Sequence, residues 1–144
     1  IYIGEMAGKV LPEAFTCFTL SLDNLSELTK RFGYTVGDGV LKDFAGLVQL
    51  MGDTEGMRGY NGVGRFVVFF EECSSKKAAA MIRILDNQVE EYNSLNPEYP
   101  IRYTAAWATT EETDTYEIRE LLRLSQKKWK QMEKEKKDKT EEET

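Results

Sequence analysis

Histidine is absent from the 144 residues, which removes the commonest general base and soft-metal ligand and every Ser-His or Cys-His pairing that could activate a nucleophile. Chemistry is left to carboxylates, and their spacing restricts them. Asp23 follows Ser21 by two residues, so on a strand both face one side. A lone carboxylate there is a poor Mg²⁺ site unless a second acid lies close. Glu71 and Glu72 are neighbours, point to opposite faces of a strand, and cannot converge on one proton. Asp38 opens a helical pattern, where a carboxylate satisfies first-turn amides and complements the helix dipole. The turn from Gly59 to Gly64 offers backbone donors for a phosphate, but it lacks the Lys-Ser/Thr of a P-loop and no helix follows it directly. Cys17 and Cys73 have no metal-ligand spacing, and with no signal peptide in view they read as reduced thiols in a cytosolic compartment.

These groups need elements to hold them, and the composition supports a folded domain. The hydrophobic share is 41% and the aromatic share 11%, which argue against disorder. No apolar run approaches the roughly 18 to 20 residues that span a bilayer, so direct membrane contact is not expected. A net charge of -6 would repel a phosphate backbone, which disfavours nucleic acid as a partner. The chain opens on Ile1 rather than methionine, and we expect a piece of a longer protein, cytoplasmic or the cytosolic part of a membrane-anchored one.

Thr16 to Leu22 alternate, with Phe18, Leu20 and Leu22 on one face and Cys17, Thr19 and Ser21 on the other, as in a strand. Asn24, with Glu27 three residues on, opens a short helix that Gly33 stops. A second helix follows with a stripe of Val36, Val40, Leu41, Phe44, Leu47, Val48 and Met51. Gly56 to Phe70 reads as a hairpin around Asn61-Gly62-Val63-Gly64. Ser74 and Ser75 cap a long helix that Asn96-Pro97 ends. Ile101, Tyr103, Ala105 and Trp107 alternate as a fourth strand, and a last helix after Asp114 carries Ile118, Leu121, Leu122, Trp129 and Met132. The order βααββαβα with a central hairpin predicts an α+β fold, an antiparallel-centred sheet with helices packed on it. We expect a lead-in at residues 1–15, one domain over 16–132, and a charged, solvated tail at 133–144.

The run Phe32-Gly33-Tyr34-Thr35-Val36-Gly37-Asp38-Gly39-Val40-Leu41 resembles the aromatic-Gly-His-x-x-Gly-Asp-x-x-Leu segment of the GGDEF domain of diguanylate cyclases, at the same distance from the first strand. Upstream, Gly8 and Phe15 echo the family's entry motif, with Leu11 and Pro12 replacing its Asn and Arg. The signature hairpin falls on Gly62-Val63-Gly64-Arg65-Phe66, which keeps the first glycine and the phenylalanine and loses both acids. The resemblance implies a nucleotide-cyclase palm fold in which an acid on strand one and the first acid of the hairpin hold divalent ions on GTP. Those positions are Ser21 and Gly64 here, so no catalytic residue and no metal site are expected, Asp23 being only a weak metal candidate. No cofactor is expected, with Mg²⁺ entering only alongside residual GTP binding. The guanine-recognising Asn and Asp map onto Thr29 and Asp38, which together with Gly62 are the candidate nucleotide-binding residues. A carboxylate at Asp38 can accept from guanine N–H groups, while Thr29 is too short to replace Asn without a water or a shift. The family's inhibitory product site maps onto Asp53 and Gly56, which cannot reproduce its Arg and Asp.

The resulting expectation is a degenerate GGDEF domain that binds or regulates rather than catalyses, with other domains of the same protein, a homodimer partner or GTP as its partners. An active cyclase making cyclic di-GMP from two GTP is the alternative, and a ligand-free dimerisation module a third. Arg65-Phe66-Val67-Val68-Phe69 also mimics an RNA-stacking strand, but its apolar character on both faces favours a covered core strand. Trp107 and Trp129 lie on apolar faces and are expected in the core.

Overall fold

The computed structural model describes residues 15–51, 57–60, 64–71, 73–112 and 117–143. Its elements are β1 (Thr16–Leu22), α1 (Leu25–Phe32), α2 (Tyr34–Gln49), β2 (Met57–Tyr60), β3 (Arg65–Phe70), α3 (Ser75–Leu95), β4 (Tyr103–Thr109), a 3-10 turn (Thr110–Glu112) and α4 (Ile118–Glu143). The order is the expected one. The strands form one sheet, β2-β3-β1-β4, and every neighbouring pair is antiparallel. Gly8, Leu11, Pro12, Asp53, Gly56, Asn61, Gly62, Val63, Glu72 and Asp114, which the sequence singles out, lie outside the described residues.

β1 is buried along its whole length because both faces are covered. Its alternation sorts the two coverings. Phe18, Leu20 and Leu22 pack with Val40, Phe44 and Val48 of α2 and Leu85 and Val89 of α3. On the opposite face Cys17 joins Phe15, Phe69, Ala108 and, from α4, Ile118 and Leu121. That second face is partly polar: Ser125 of α4 meets Thr19 Oγ1 at 2.8 Å and Cys17 Sγ at 3.3 Å. Burial pushes the Cys17 thiol up to about 12, so it stays protonated and unreactive near neutrality.

Ser74 caps α3 by accepting from Lys77 N at 3.2 Å. Asn24 precedes α1 but makes no cap hydrogen bond. Its amide instead donates to Pro100 O at 2.7 Å and accepts from Arg102 N at 3.2 Å, tying the end of β1 to the approach to β4. Gly37 is a close-approach residue, since a Cβ there would lie 2.3 Å from Thr29 Oγ1, and its bareness lets α1 and α2 pack together. Phe66 and Phe69 are buried, so β3 is a core strand and offers no stacking platform. Trp107 packs against the core with its ring 6.2 Å from Phe18, and Trp129 is buried on the other face. Met132 departs from the expected stripe and is exposed, because Glu133 rather than Met132 continues the sheet-facing side of α4. The charged segment from 133 continues α4, which runs unbroken to Glu143. No described helix is long and apolar enough to cross a membrane.

Candidate functional site

The C-terminal end of β1 is where the hairpin, β4 and α4 converge. Ser21 pairs with Arg65 on β3 and with Thr104 on β4. Its hydroxyl donates to Asp23 Oδ1 at 2.6 Å and accepts from the indole Nε1 of Trp129 at 2.8 Å. One helical turn beyond Trp129, Glu133 brings a carboxylate oxygen to 3.4 Å from the same hydroxyl. Thr104 donates to the second oxygen of Asp23, and Lys136 donates to Thr104 Oγ1 at 2.8 Å while standing 3.9 Å from Asp23. The Asp23 carboxyl hydrogen-bonded to Glu133, together with partial burial, holds the Glu133 carboxyl above the usual carboxylate range.

The hairpin side closes the same corner. Gly64 O accepts from Leu22 N at 2.8 Å, which fixes position 64 against the strand end. Gly64 has φ +76°, a left-handed conformation, and a Cβ there would meet Leu25 Cδ2 at 3.3 Å and Leu22 O at 3.4 Å. The Arg65 guanidinium lies over the Trp129 ring, 4.3 Å from its centroid. A divalent ion does not fit these groups. Both oxygens of Asp23 already accept from hydroxyls, position 64 supplies no side chain, and an ammonium sits beside the carboxylate. Among the described residues no group of three His, Cys, Asp or Glu could hold a metal.

Two clefts flank this corner on opposite faces of the sheet. One, of about 670 Å³, is lined by Asp23, Arg102, Glu133, Lys136, Lys137 and Lys139. The other, of about 600 Å³, lies between α1, α2 and the start of β3 and is lined by Leu25, Thr29, Tyr34, Asp38, Leu41 and Phe66. The second brings together Thr29 and Asp38, as their positions on α1 and α2 imply. Tyr34 is largely exposed at its rim, and Arg65 turns away to Trp129, so neither fills it. Asp38 is paired with Lys42 at 3.0 Å, one turn along α2. Thr29 uses its hydroxyl proton on Leu25 O at 2.8 Å, which leaves it an acceptor toward the cleft. The lining is mainly apolar with one carboxylate, a surface suited to a flat ring carrying N–H donors.

Sequence reasoning overlooked the α4 contribution at the β1 end. The signal was present in the spacing: Leu121, Ser125, Trp129, Glu133 and Lys136 follow at intervals of four, four, four and three, one helix face that passes from apolar to charged.

The family model "Diguanylate cyclase, GGDEF domain" matches residues 7–139. No curated protein matches the chain. Among solved structures, the active GGEEF domain of a diguanylate cyclase from Vibrio cholerae superposes with a TM-score of 0.75 at 19% identity, over 85% of this chain and 78% of that one. An EAL/GGDEF domain protein from M. capsulatus gives 0.71 at 13% identity, over 92% and 85%. The S helix-GGDEF-EAL region of Vibrio cholerae LapD, bound to c-di-GMP, gives 0.66 at 13% identity, and the 87% of this chain that is covered corresponds to 29% of that chain. With a family match over most of its length and the fold to accompany it, this chain belongs to the GGDEF domain family, related to the diguanylate cyclases of cyclic di-GMP signalling.

Proposed function

We propose that this GGDEF domain does not make cyclic di-GMP and works as a regulatory or interaction module of a larger signalling protein, keeping weak, metal-independent affinity for GTP. The observation that carries the reading is the corner at Ser21 and Gly64. Where the family places two carboxylates for divalent ions, this chain has a hydroxyl held between Asp23 and Trp129 and a bare glycine in a left-handed turn. The family reaction joins two GTP molecules, so both halves of a dimer need that apparatus. Loss of metal assistance worth several kcal/mol slows turnover by several orders of magnitude, each tenfold being about 1.4 kcal/mol.

The cleft at Thr29, Asp38 and Phe66 supports retained nucleotide binding, because Asp38 is placed to exchange Lys42 for the N–H edge of a guanine. The multidomain relatives support a role inside a larger protein: in LapD the GGDEF region is joined to an EAL domain, and the M. capsulatus protein carries both names. The test is calorimetric titration with GTP, with and without Mg²⁺ and with ATP as control, beside an assay for cyclic di-GMP. GTP-selective binding that Mg²⁺ does not strengthen, without product, is expected. Product above the no-enzyme control overturns the inactive assignment, and absence of binding overturns the nucleotide role.

A further inference from the structure

Among the described residues, β4 is an edge of the sheet with no strand beyond it. Asp23 N donates to Arg102 O at 2.7 Å and Thr110 N to Phe15 O at 3.0 Å, so even-numbered residues of this segment turn their backbone groups toward β1. Tyr103, Ala105, Trp107 and Thr109 therefore present theirs to the open side. Two of those outward carbonyls are taken by lysines of α4: Lys136 Nζ donates to Tyr103 O at 2.8 Å and Lys128 Nζ to Trp107 O at 3.2 Å. Lys128 is also ion-paired with Glu112, which anchors it beside the strand.

The spacing makes the match systematic. Eight residues of helix rise about 12 Å, and four residues of strand about 13 Å. A helix lying antiparallel on a strand can thus meet every second outward carbonyl with every eighth residue. At the Lys128 end of the strand, a groove of about 340 Å³ is lined by Ala106, Trp107, Glu112, Lys128, Met132 and Ser75.

We propose that Lys128 and Lys136 clamp the β4 edge against strand addition, and that the surface they guard is complementary to β4 of a second copy of this chain. Unpaired edges template further pairing, and lysines placed on them oppose it because each ammonium must be desolvated before a strand can dock. The occupant follows from symmetry. Tyr103 and Trp107 stand two residues on either side of Ala105 and point to one face. An antiparallel self-pairing about Ala105 sets Tyr103 of one copy opposite Trp107 of the other, an aromatic cross-strand pair in a closed two-fold interface. This goes beyond the nucleotide reading and does not depend on it.

The test compares Lys128→Ala/Lys136→Ala with Lys127→Ala/Lys130→Ala, which removes the same charge from exposed positions of α4, and with Lys128→Arg/Lys136→Arg, which keeps the donors. Sedimentation velocity over a concentration series reads self-association, and amide hydrogen exchange of residues 103–109 locates it. The clamp variant is expected to associate with a dissociation constant about tenfold lower than wild type and to gain protection at Ala105 and Trp107, while the other two sediment as wild type. A clamp variant with native circular dichroism that sediments as wild type overturns the proposal, as does equal association of the exposed-lysine control. If the double variant fails to fold, Lys128→Ala alone, which leaves the Asp23 corner untouched, is read the same way: a folded single variant that sediments as wild type overturns the clamp.

Discussion

Restoring acids at the two lost positions, Ser21→Asp with Gly64→Glu, gives a result whose sign depends on metal. Position 64 has φ +76°, and a side chain in the left-handed region costs about 1–2 kcal/mol. The new Cβ also has to displace Leu25 Cδ2 by a few tenths of an ångström, which that flexible methyl allows. At position 21 a carboxylate enters where the hydroxyl now lies 2.6 Å from Asp23 Oδ1 and 3.4 Å from Glu133. Two carboxylates about 4 Å apart repel by about 4 kcal/mol at an effective dielectric of about 20, reduced when one takes a proton. The metal-free double variant is thus expected to melt well below wild type, by roughly 2–4 °C for each kcal/mol lost. A divalent cation bridging the new acids and Asp23 reverses the repulsion, so Mn²⁺ or Mg²⁺ is expected to raise the melting temperature of the variant and leave wild type unmoved. GTP affinity in the variant is expected to become metal-dependent. The assay is thermal unfolding with and without metal, followed by calorimetry with GTP. A variant whose melting temperature ignores both metals refutes the assignment of positions 21 and 64 to the family's metal ligands.

Other expectations follow from individual contacts. Gly37→Ala forces Thr29 Oγ1 away from a 2.3 Å clash and breaks its bond to Leu25 O, with an expected cost of about 1–3 kcal/mol. Gly37→Ala/Thr29→Ala is expected to recover part of that stability in denaturant unfolding. Glu133→Gln is expected to stabilise the protein at pH values above the raised pKa of Glu133, where the wild-type side chain loses the proton that suits it to its place beside Asp23. The folded-state pKa of Glu133 is raised, so the stability its proton confers is present below the normal glutamate range and lost as pH rises through the folded value. The advantage of Gln should accordingly vanish in acid, as melting curves against pH will read. Trp129→Phe removes the indole donor to Ser21 and weakens the stack with Arg65, with an expected loss of about 1 kcal/mol in chemical unfolding.

The sequence made the element order and the two faces of β1 legible because period-two and period-three-to-four patterns depend on burial alone. Thr29 and Asp38 drew notice only through the resemblance to the GGDEF segment, and the apolar stripes of the two helices account for their meeting at one cleft. What escaped reading depends on long-range packing. Asn24 looks like a helix cap, yet Pro100 and Arg102, some 76 and 78 residues away in sequence, compete for its amide and win. Glu133 and Lys136 look like solvated charges of a tail, and only their placement over the end of β1 turns them into part of the corner. Gly64 gives no hint of its positive φ until the hairpin is built.

The polar seam beneath α4 has a consequence for assembly. Apolar surfaces are forgiving, and a helix lying on leucines and alanines could settle one turn forward or back with little loss. Ser125, lodged between Leu121 and Trp129, denies that freedom. Shifting α4 by a turn in either direction would set leucine or tryptophan over Thr19 and strand its hydroxyl, at about 1–3 kcal/mol for each orphaned group. The seam acts as a key that fits a single notch, and it is this one notch that delivers Trp129, Glu133 and the two edge lysines to their stations together.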